Sequence, residues 1–462
     1  MLRLIFPTTR CYTLVAVFTI IFMSGFSSVA GATDYPKGGA CTAESSWFPH
    51  RKTPRPNDQD FQSSSNCEFH QWSWQMFLWL TQDLGGKPRF LSFQSPQSLL
   101  GMSSRSLQPY TSQRGKLAAL DEYLQAGTDG ILVDHNGRAV YYSQYVNPGF
   151  SHFVTKNNLT NPTTVQGFNP DKSFDIGTLE LKASWKIVAK GGNTRDFFTM
   201  KTRVNKLINQ GGKIVIDENS TEMVTVALVG FHIGGVVNGH PEMIWATFEQ
   251  KSNAPNVPEK PAPDTVISDK DWLFYTANTR YADCNINPAD SPTRKLNEKT
   301  QIINPITQVC RQFEFGNDPD NPEQKKSAMQ QNDNNIASLN KNVHQHLRSD
   351  NVWKNYYEVG AIWFLNQNQL KPGLSLETDG IGTDQELTGS LKLSNATIET
   401  FTQTQSTMNN CFRCHNTEQR FPPIMTLDPL PALNINISHA FVNIYFWSQQ
   451  LKATATSLKT VK

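Results

Sequence analysis

The sequence predicts an α+β protein in which a β-rich central body is followed by a helical C-terminal segment. Three observations lead to this prediction. Large apolar residues recur at helical spacing over 67–84, apolar and polar residues alternate between about 130 and 250, and helical spacing returns after residue 325. We therefore divide the chain into a leader (residues 1–32), a body with an irregular N-terminal arm and a buried Trp-rich helix (33–325) and the helical segment (326–462).

Residues 1–32 predict a cleaved secretory signal. Arg3 and Arg10 precede a largely apolar run over 11–26, and the small residues Ala30-Gly31-Ala32 offer a cleavage site. The run has 16 residues, whereas a membrane span needs about 20. An uncleaved N-terminal anchor is the alternative. We expect a periplasmic or secreted mature protein with no stable membrane span.

The charge of the mature chain argues against nucleic acid as a partner. The full chain has 42 Lys and Arg against 40 Asp and Glu, and the leader contributes two Arg and no acidic residue. Loss of the leader leaves 40 of each sign. A neutral chain has no overall electrostatic attraction to nucleic acid or to an anionic membrane surface.

Within the body, period-two patterns predict the strands. In 177–189, Leu179, Leu181 and Trp185 alternate with polar residues, which indicates a half-buried strand. Asn136-Gly137 predicts a hairpin turn because both residues tolerate positive φ. The remaining predicted strands are 212–218, a nearly apolar central strand at 223–237, and 242–250.

Less regular patterns complete the fold prediction. Residues 251–325 are rich in Pro, Asn and Asp, which predicts long loops. After them, apolar spacing predicts helices over 329–343, over 353–363 and over 398–408, the last leading into a cysteine-rich motif.

Six of the seven cysteines remain once Cys11 leaves with the leader. Cys41 and Cys67 are 26 residues apart, as are Cys284 and Cys310, so two disulfides with these pairings are the economical interpretation in an oxidising compartment. Three pairings of four cysteines are possible. Closing loops of this size stabilises by roughly 3 kcal/mol each in the chain-entropy description.

The last two cysteines belong to the motif Cys411-Phe412-Arg413-Cys414-His415. On one helical turn, positions i, i+3 and i+4 share a face, so two thioether bonds and an axial imidazole can meet one porphyrin. The motif predicts one covalent c-type haem, with Cys411 and Cys414 as anchors and His415 as iron ligand. Zinc would need a second ligand pair and a redox dithiol a βαβ context. A plain Cys411–Cys414 disulfide is the remaining alternative.

The sixth iron ligand stays open in the sequence. His439 begins an apolar segment and Met425 follows two prolines, so both are candidates. The alternative is a five-coordinate iron or a ligand from the β-rich body. His240 and Glu242, in a predicted turn, are possible contacts to the haem edge, with a plain turn as the alternative.

Several landmarks besides the haem motif resemble large exported bacterial proteins known as cytochrome c family proteins. These are Ser73-Trp74-Gln75-Met76-Phe77, Glu180-Leu181-Lys182-Ala183-Ser184-Trp185, His232, and Gly239-His240-Pro241-Glu242-Met243-Ile244-Trp245-Ala246-Thr247-Phe248-Glu249. In similar sequences a His often follows the Phe-Glu, where this chain has Gln250. The resemblance implies export and a covalent haem, and it does not indicate a substrate.

Two functions follow from these observations. The first is electron transfer between periplasmic redox partners, which needs only a haem with an exposed edge. The alternative is a haem-dependent oxidoreductase, peroxidase- or oxygenase-like, in which the β-rich body forms the substrate pocket. A third interpretation treats the body as a ligand receptor and the haem as a sensor. The sequence specifies no catalytic residue.

Overall fold

The structure is a computed structural model that describes residues 40–61, 65–101, 120, 122–126, 128, 130–287, 294–320, 325–374, 387–403, 410–422, 427–446 and 448–449. The predicted leader, Met408 and Met425 lie outside these ranges. No helix within them is long and apolar enough to cross a lipid bilayer.

The described helices are few and mostly short. The α-helices are α1 (Asn66–Thr81), α2 (Pro96–Leu99), α3 (Pro148–Lys156), α4 (Pro162–Gln166), α5 (Lys326–His346) and α6 (Cys411–Cys414), and residues 439–446 are also helical. Short 3-10 helices lie at Ser45–Trp47, His50–Lys52, Arg89–Ser92, Tyr281–Asp283, Val352–Asn355 and Asn434–Ile437.

A seven-stranded antiparallel sheet organises the described chain, which confirms the α+β class. Its strands are β1 (Tyr141–Val146), β2 (Leu179–Ile187), β3 (Thr199–Gln210), β4 (Lys213–Val237), β5 (His240–Gln250), β8 (Tyr356–Phe364) and β9 (Leu387–Gly389), and a separate pair is formed by β6 (Lys295–Asn297) and β7 (Ile302–Asn304). The order is β1-β2-β4-β5-β8-β9, with β3 paired to β4.

Most of the predicted elements are confirmed. The Trp-rich helix is α1, the helix over 329–343 is α5, and β2, β4 and β5 occupy their predicted places. The strands predicted at 212–218 and 223–237 are one strand of 25 residues, β4. At the predicted hairpin turn, Gly137 has a φ of +76° and Val133 bridges Ala139 across it.

One predicted helix is wrong, and the described part of another is not helical. Residues 353–363 form mainly β8, an interior strand between β5 and β9 that is buried on both faces. An apolar run buried on both faces lacks period two, so its pattern does not separate helix from strand. Of the helix predicted over 398–408, residues 398–403 lie in turns and bends, and residues 404–408 lie outside the described residues. There, the Asn395 side chain accepts a hydrogen bond from the Thr397 N–H at 2.9 Å, a local bond that competes with helix formation.

Both predicted disulfides are present, Cys41–Cys67 and Cys284–Cys310. The first ties the N-terminal arm to α1, whose N-terminus carries a capping box between Ser65 and Glu68. The second joins two parts of the loop-rich region.

The sheet has two covered faces of different character. On the helix face, α1 and α5 pack against the strands: Phe77 stacks on Phe248 with centroids 4.2 Å apart, and Trp74 Nε1 donates to Asn340 Oδ1 at 2.8 Å. The opposite face, the cavity face, is covered by the described residues of the C-terminal part, 391–403, 410–422 and 427–446, which we call the C-terminal cover.

A turn at 394–397 fixes this cover to the sheet. Asn395 Nδ2 donates to Thr247 Oγ1 at 2.8 Å, and Ser184 Oγ lies 2.7 Å from Thr397 Oγ1. A side chain at position 230 would meet Ser184 Oγ at 2.6 Å and Asn395 Oδ1 at 2.8 Å. Glycine at Gly230 therefore lets the turn lie directly on β4.

Candidate functional site

A cavity of about 500 Å³ lies between the cavity face of the sheet and the C-terminal cover; we call it the junction cavity. Its sheet wall includes Gln144, Glu180, Lys182, His232 and Trp245. Its opposite wall includes Glu399, Asn410, Cys411, Cys414, His415, Arg420 and His439. The volume is within the range of roughly 300–1,000 Å³ that is usual for ligand and cofactor sites.

The cysteine motif forms one short helical turn on the cavity wall. Asn410 caps α6, its Oδ1 accepting from the Arg413 N–H at 3.2 Å, and the His415 N–H donates to Cys411 O at 2.8 Å. Cys411 and Cys414 belong to neither disulfide and line the same cavity as His415. The structure thus brings the three predicted haem residues together.

The His415 ring is held in one tautomer. Its Nδ1 lies 2.7 Å from Ile437 O, and because a carbonyl oxygen only accepts, Nδ1 must carry the proton. The Nε2 lone pair is then the one available to a metal. Trp245 and His439 lie against the ring with centroids 4.0 and 4.2 Å away. Among the described residues, none hydrogen-bonds to His415 Nε2.

Burial sets the protonation of the motif. Burial, followed by the nearby His439, lowers the pKa of His415 well below its usual value, so the imidazole is neutral, as a metal ligand must be. Burial raises the pKa of the Cys411 thiol, with Glu399 and Cys414 adding to the effect. A redox dithiol has the opposite requirement, a lowered cysteine pKa.

His439 lies beside His415 and not opposite to it. The two imidazoles are within 13° of parallel, and His439 Nε2 donates to Cys414 O at 3.1 Å. Two axial ligands must approach an iron from opposite sides of a porphyrin, so His439 would have to turn away from His415 to be the sixth ligand. That role stays a prediction which this arrangement does not favour, and Met425 lies outside the described residues.

The sheet wall is polar and titratable. Glu180 is 8% exposed, and its Oε2 has no hydrogen-bond partner. Burial raises the pKa of Glu180 from 4.5 to about 7, while Ser438 and Lys182 lower it less. The Lys182 ammonium, on the same polar row of β2, is bonded to Glu122 at 2.6 Å. The polar row of β2 therefore faces a cavity and not solvent.

His232 also lies on this wall, beside Lys182 in the register of β2 and β4. Its buried Nε2 lies 3.2 Å from Glu399 Oε2, but the two groups are not aligned for a hydrogen bond. The structure places it at the cavity with Nε2 beside the Glu399 carboxylate.

The structure does not bring His240 and Glu242 to the junction cavity. His240 packs edge-on to Phe69 at 5.1 Å, and its Nδ1 is 2.7 Å from Glu242 Oε1. Glu242 also accepts from the Phe364 N–H at 3.1 Å. These contacts give both residues a structural role, and their contact with a haem edge is a prediction without support here.

The donor set fits a haem better than a bare metal ion. Within the described ranges, no group of three or more His, Cys, Asp or Glu is placed to hold a metal ion. A haem iron needs only axial ligands from the protein because the porphyrin supplies four nitrogens. Three buried polar atoms at the cavity have no hydrogen-bond partner: Gln125 Oε1, Glu180 Oε2 and Arg420 Nε. Buried polar atoms are usually hydrogen-bonded, so these three are consistent with a site in which a bound group with polar atoms supplies the missing partners.

Sequence reasoning missed most of the sheet wall. Trp245, which covers a face of His415, and Arg420, whose Nη2 donates to Cys414 O at 2.8 Å, had no assigned role. The alternation in β2 was a usable signal, since its polar row contains Glu180. Period two shows which residues share a face and not what covers it.

No protein-family model, curated protein or solved structure matches this chain. The resemblance to exported cytochrome c family proteins therefore stays a prediction.

Proposed function

We propose that this protein carries one haem c, bound covalently by Cys411 and Cys414 with His415 as axial ligand, and that it transfers electrons to periplasmic redox partners. The observation that carries the proposal is the Nδ1–H donated by His415 to Ile437 O at 2.7 Å, in a ring that follows two cysteines of the same cavity wall. This bond directs Nε2 to a metal. A bound haem supplies one-electron oxidation and reduction.

The residues around the motif support this function by their arrangement. Asn410 and Arg420 fix the turn that carries the cysteines, and Trp245 limits rotation of the His415 ring. A fixed axial ligand is one of the features by which a protein sets a haem potential.

The proposed location outside the cytoplasm rests on the leader and on the two disulfides. Disulfides persist in oxidising compartments. A mature N-terminus after Ala32, determined on protein purified from the producing cell, supports this location. A mature N-terminus at Met1 would overturn signal cleavage and favour the anchor.

Absorption spectra test the axial ligand. We expect His415→Ala to keep the covalent haem but to lose the ferric and ferrous spectrum of the wild type, because the iron loses its imidazole. His135→Ala, at an exposed histidine, is the matched control and should keep that spectrum. A wild-type spectrum in His415→Ala contradicts the assignment.

A haem-dependent oxidoreductase is the second candidate, and one observation favours it. The cavity wall holds a buried carboxyl, Glu180, with an oxygen that has no partner and a pKa near 7, which suits a general acid or base. Carbon monoxide distinguishes the two functions. Binding of carbon monoxide to the reduced protein favours the oxidoreductase, and an unchanged spectrum favours electron transfer through a closed iron site.

A further inference from the structure

A second concave site lies away from the haem motif, at the end of β1. This cleft has a volume of about 750 Å³, and its lining includes Arg55, Arg89, Trp79, Phe93, Ile176 and Gly149. None of the residues that line it carries a carboxylate. The functions proposed above make no use of it.

Both arginine guanidinium groups pack against the indole ring of Trp79. The Arg89 Cζ lies 4.2 Å from the Trp79 ring centroid and the Arg55 Cζ 5.7 Å from it, which places the two guanidinium groups within about 10 Å of each other. Arg89 also donates from Nε to Trp79 O at 3.1 Å and from Nη2 to Gln82 Oε1. The stacking and these bonds orient the guanidinium before any ligand arrives.

Each guanidinium keeps donors for a ligand. Arg55 uses Nη2 for Asp58 Oδ2 at 3.1 Å and for Gly177 O at 3.0 Å. Within the described residues, Nε and Nη1 of Arg55 and Nη1 of Arg89 have no protein partner. Asp58 offsets the charge of Arg55. The net positive charge of the cleft therefore comes from Arg89, for which the described residues provide no carboxylate partner.

The remaining lining completes an amphipathic site. Helix α3 begins at the cleft, with Gly149 in its first turn, so the positive end of the helix dipole faces the same space. Phe93 and the half-exposed Ile176 add an apolar wall. Donors on one side and apolar surface on the other match an anion that carries an apolar body.

We propose that this cleft binds a small organic carboxylate, with the carboxylate on the Arg55 and Arg89 guanidinium groups and the apolar part against Phe93 and Ile176. Guanidinium is the side chain best matched to a planar carboxylate, because its fork donates two parallel hydrogen bonds. The site is independent of the haem motif, so its failure leaves the proposed function unaffected.

Calorimetric titration of the mature holoprotein with benzoate tests the proposal. We expect benzoate to bind at least tenfold more tightly than benzyl alcohol, which lacks the charge, and than inorganic phosphate, which lacks the apolar body. Binding should weaken as ionic strength rises, because the contact is between charges at a partly open site. Phosphate binding as tight as that of benzoate, or no benzoate binding, overturns the proposal.

Substitutions of the two arginines test whether benzoate binds in this cleft. Arg89→Gln should weaken benzoate binding at least tenfold, Arg89→Lys should weaken it less because the charge remains, and Arg195→Gln, at an exposed arginine outside the cleft, should leave it unchanged. Unchanged thermal unfolding of Arg89→Gln excludes a loss of fold, and Arg55→Gln serves as the second variant if that one unfolds. Wild-type affinity in both glutamine variants overturns the assignment.

Discussion

The two faces of the sheet use the same strands for different purposes. On the helix face, Phe248 is enclosed by Trp74 and Phe77, and the buried His70 has a partner on each ring nitrogen, Glu358 and Asn332. The cavity face presents titratable side chains to an open space next to the cysteine motif: Glu180, whose buried Oε2 has no hydrogen-bond partner, and His232, whose Nε2 lies 3.2 Å from Glu399 Oε2. If the proposed function is right, the helix face serves stability and the cavity face serves binding.

The difference has an energetic consequence. A buried polar atom without a partner costs about 1–3 kcal/mol, so the cavity face is less stable than its burial suggests until a group fills it. A cofactor that binds only the folded protein raises stability by mass action. We therefore expect haem binding to stabilise mainly the C-terminal cover.

The largest effect should come from the helix face. Phe77 is fully buried and stacks on Phe248, so Phe77→Ala should lower the free energy of unfolding by about 3–5 kcal/mol. The absorption spectrum of the folded variant should not change. Phe421→Ala, at an exposed phenylalanine, is the control and should be near neutral in chemical denaturation. Equal losses in both variants would show that this face is not the main source of stability.

Glu180 should make the cavity face sensitive to pH. Its pKa is raised from 4.5 in the unfolded chain to about 7, so the folded state holds the proton more tightly. The stabilisation is complete below pH 4.5 and is lost as pH rises to 7, by up to about 3 kcal/mol. Glu180→Gln, compared with the exposed control Glu259→Gln, should remove this dependence from unfolding curves. If the free energy of unfolding of Glu180→Gln depends on pH in the same way as that of wild type, the raised pKa of Glu180 is contradicted.

The turn that fixes the C-terminal cover should give a smaller effect. Asn395→Ala removes the bonds to Thr247 Oγ1 and Phe248 O, at a cost of about 1–3 kcal/mol. Limited proteolysis should cut the cover of this variant faster than that of wild type, whereas Asn366→Ala, at an exposed asparagine, should behave as wild type. If Asn395→Ala is cut at the same rate as wild type, the turn at 394–397 does not hold the C-terminal cover on the sheet.

The smallest effect is expected at Lys182. Its pair with Glu122 is partly exposed on both sides, with 21% and 29% of the side chains accessible. Pairs of this kind contribute about 0–1 kcal/mol. Lys182→Met should change the midpoint of unfolding slightly, and less so at high salt. A loss as large as that of Phe77→Ala would mean that the cavity face also carries the stability of the fold.

The same two faces explain what the sequence could predict. Strand β2 was predicted because its apolar row is regular, and the haem motif because its three residues share one turn. The cavity wall draws Glu180, His232 and Trp245 from three strands, a tertiary arrangement that no local pattern contains. Strand β8 was mistaken for a helix because both of its faces are buried, which removes the period-two signal.

The intact mass of the mature protein tests the central claim most directly. The protein is produced in a host with c-type haem ligation machinery, extracted with acid to remove unattached haem, and weighed beside Cys411→Ser/Cys414→Ser. We predict one added haem in the wild type and none in the double variant, with both structural disulfides intact. A wild-type mass without haem, from a host that loads a known c-type cytochrome in parallel, would contradict the account.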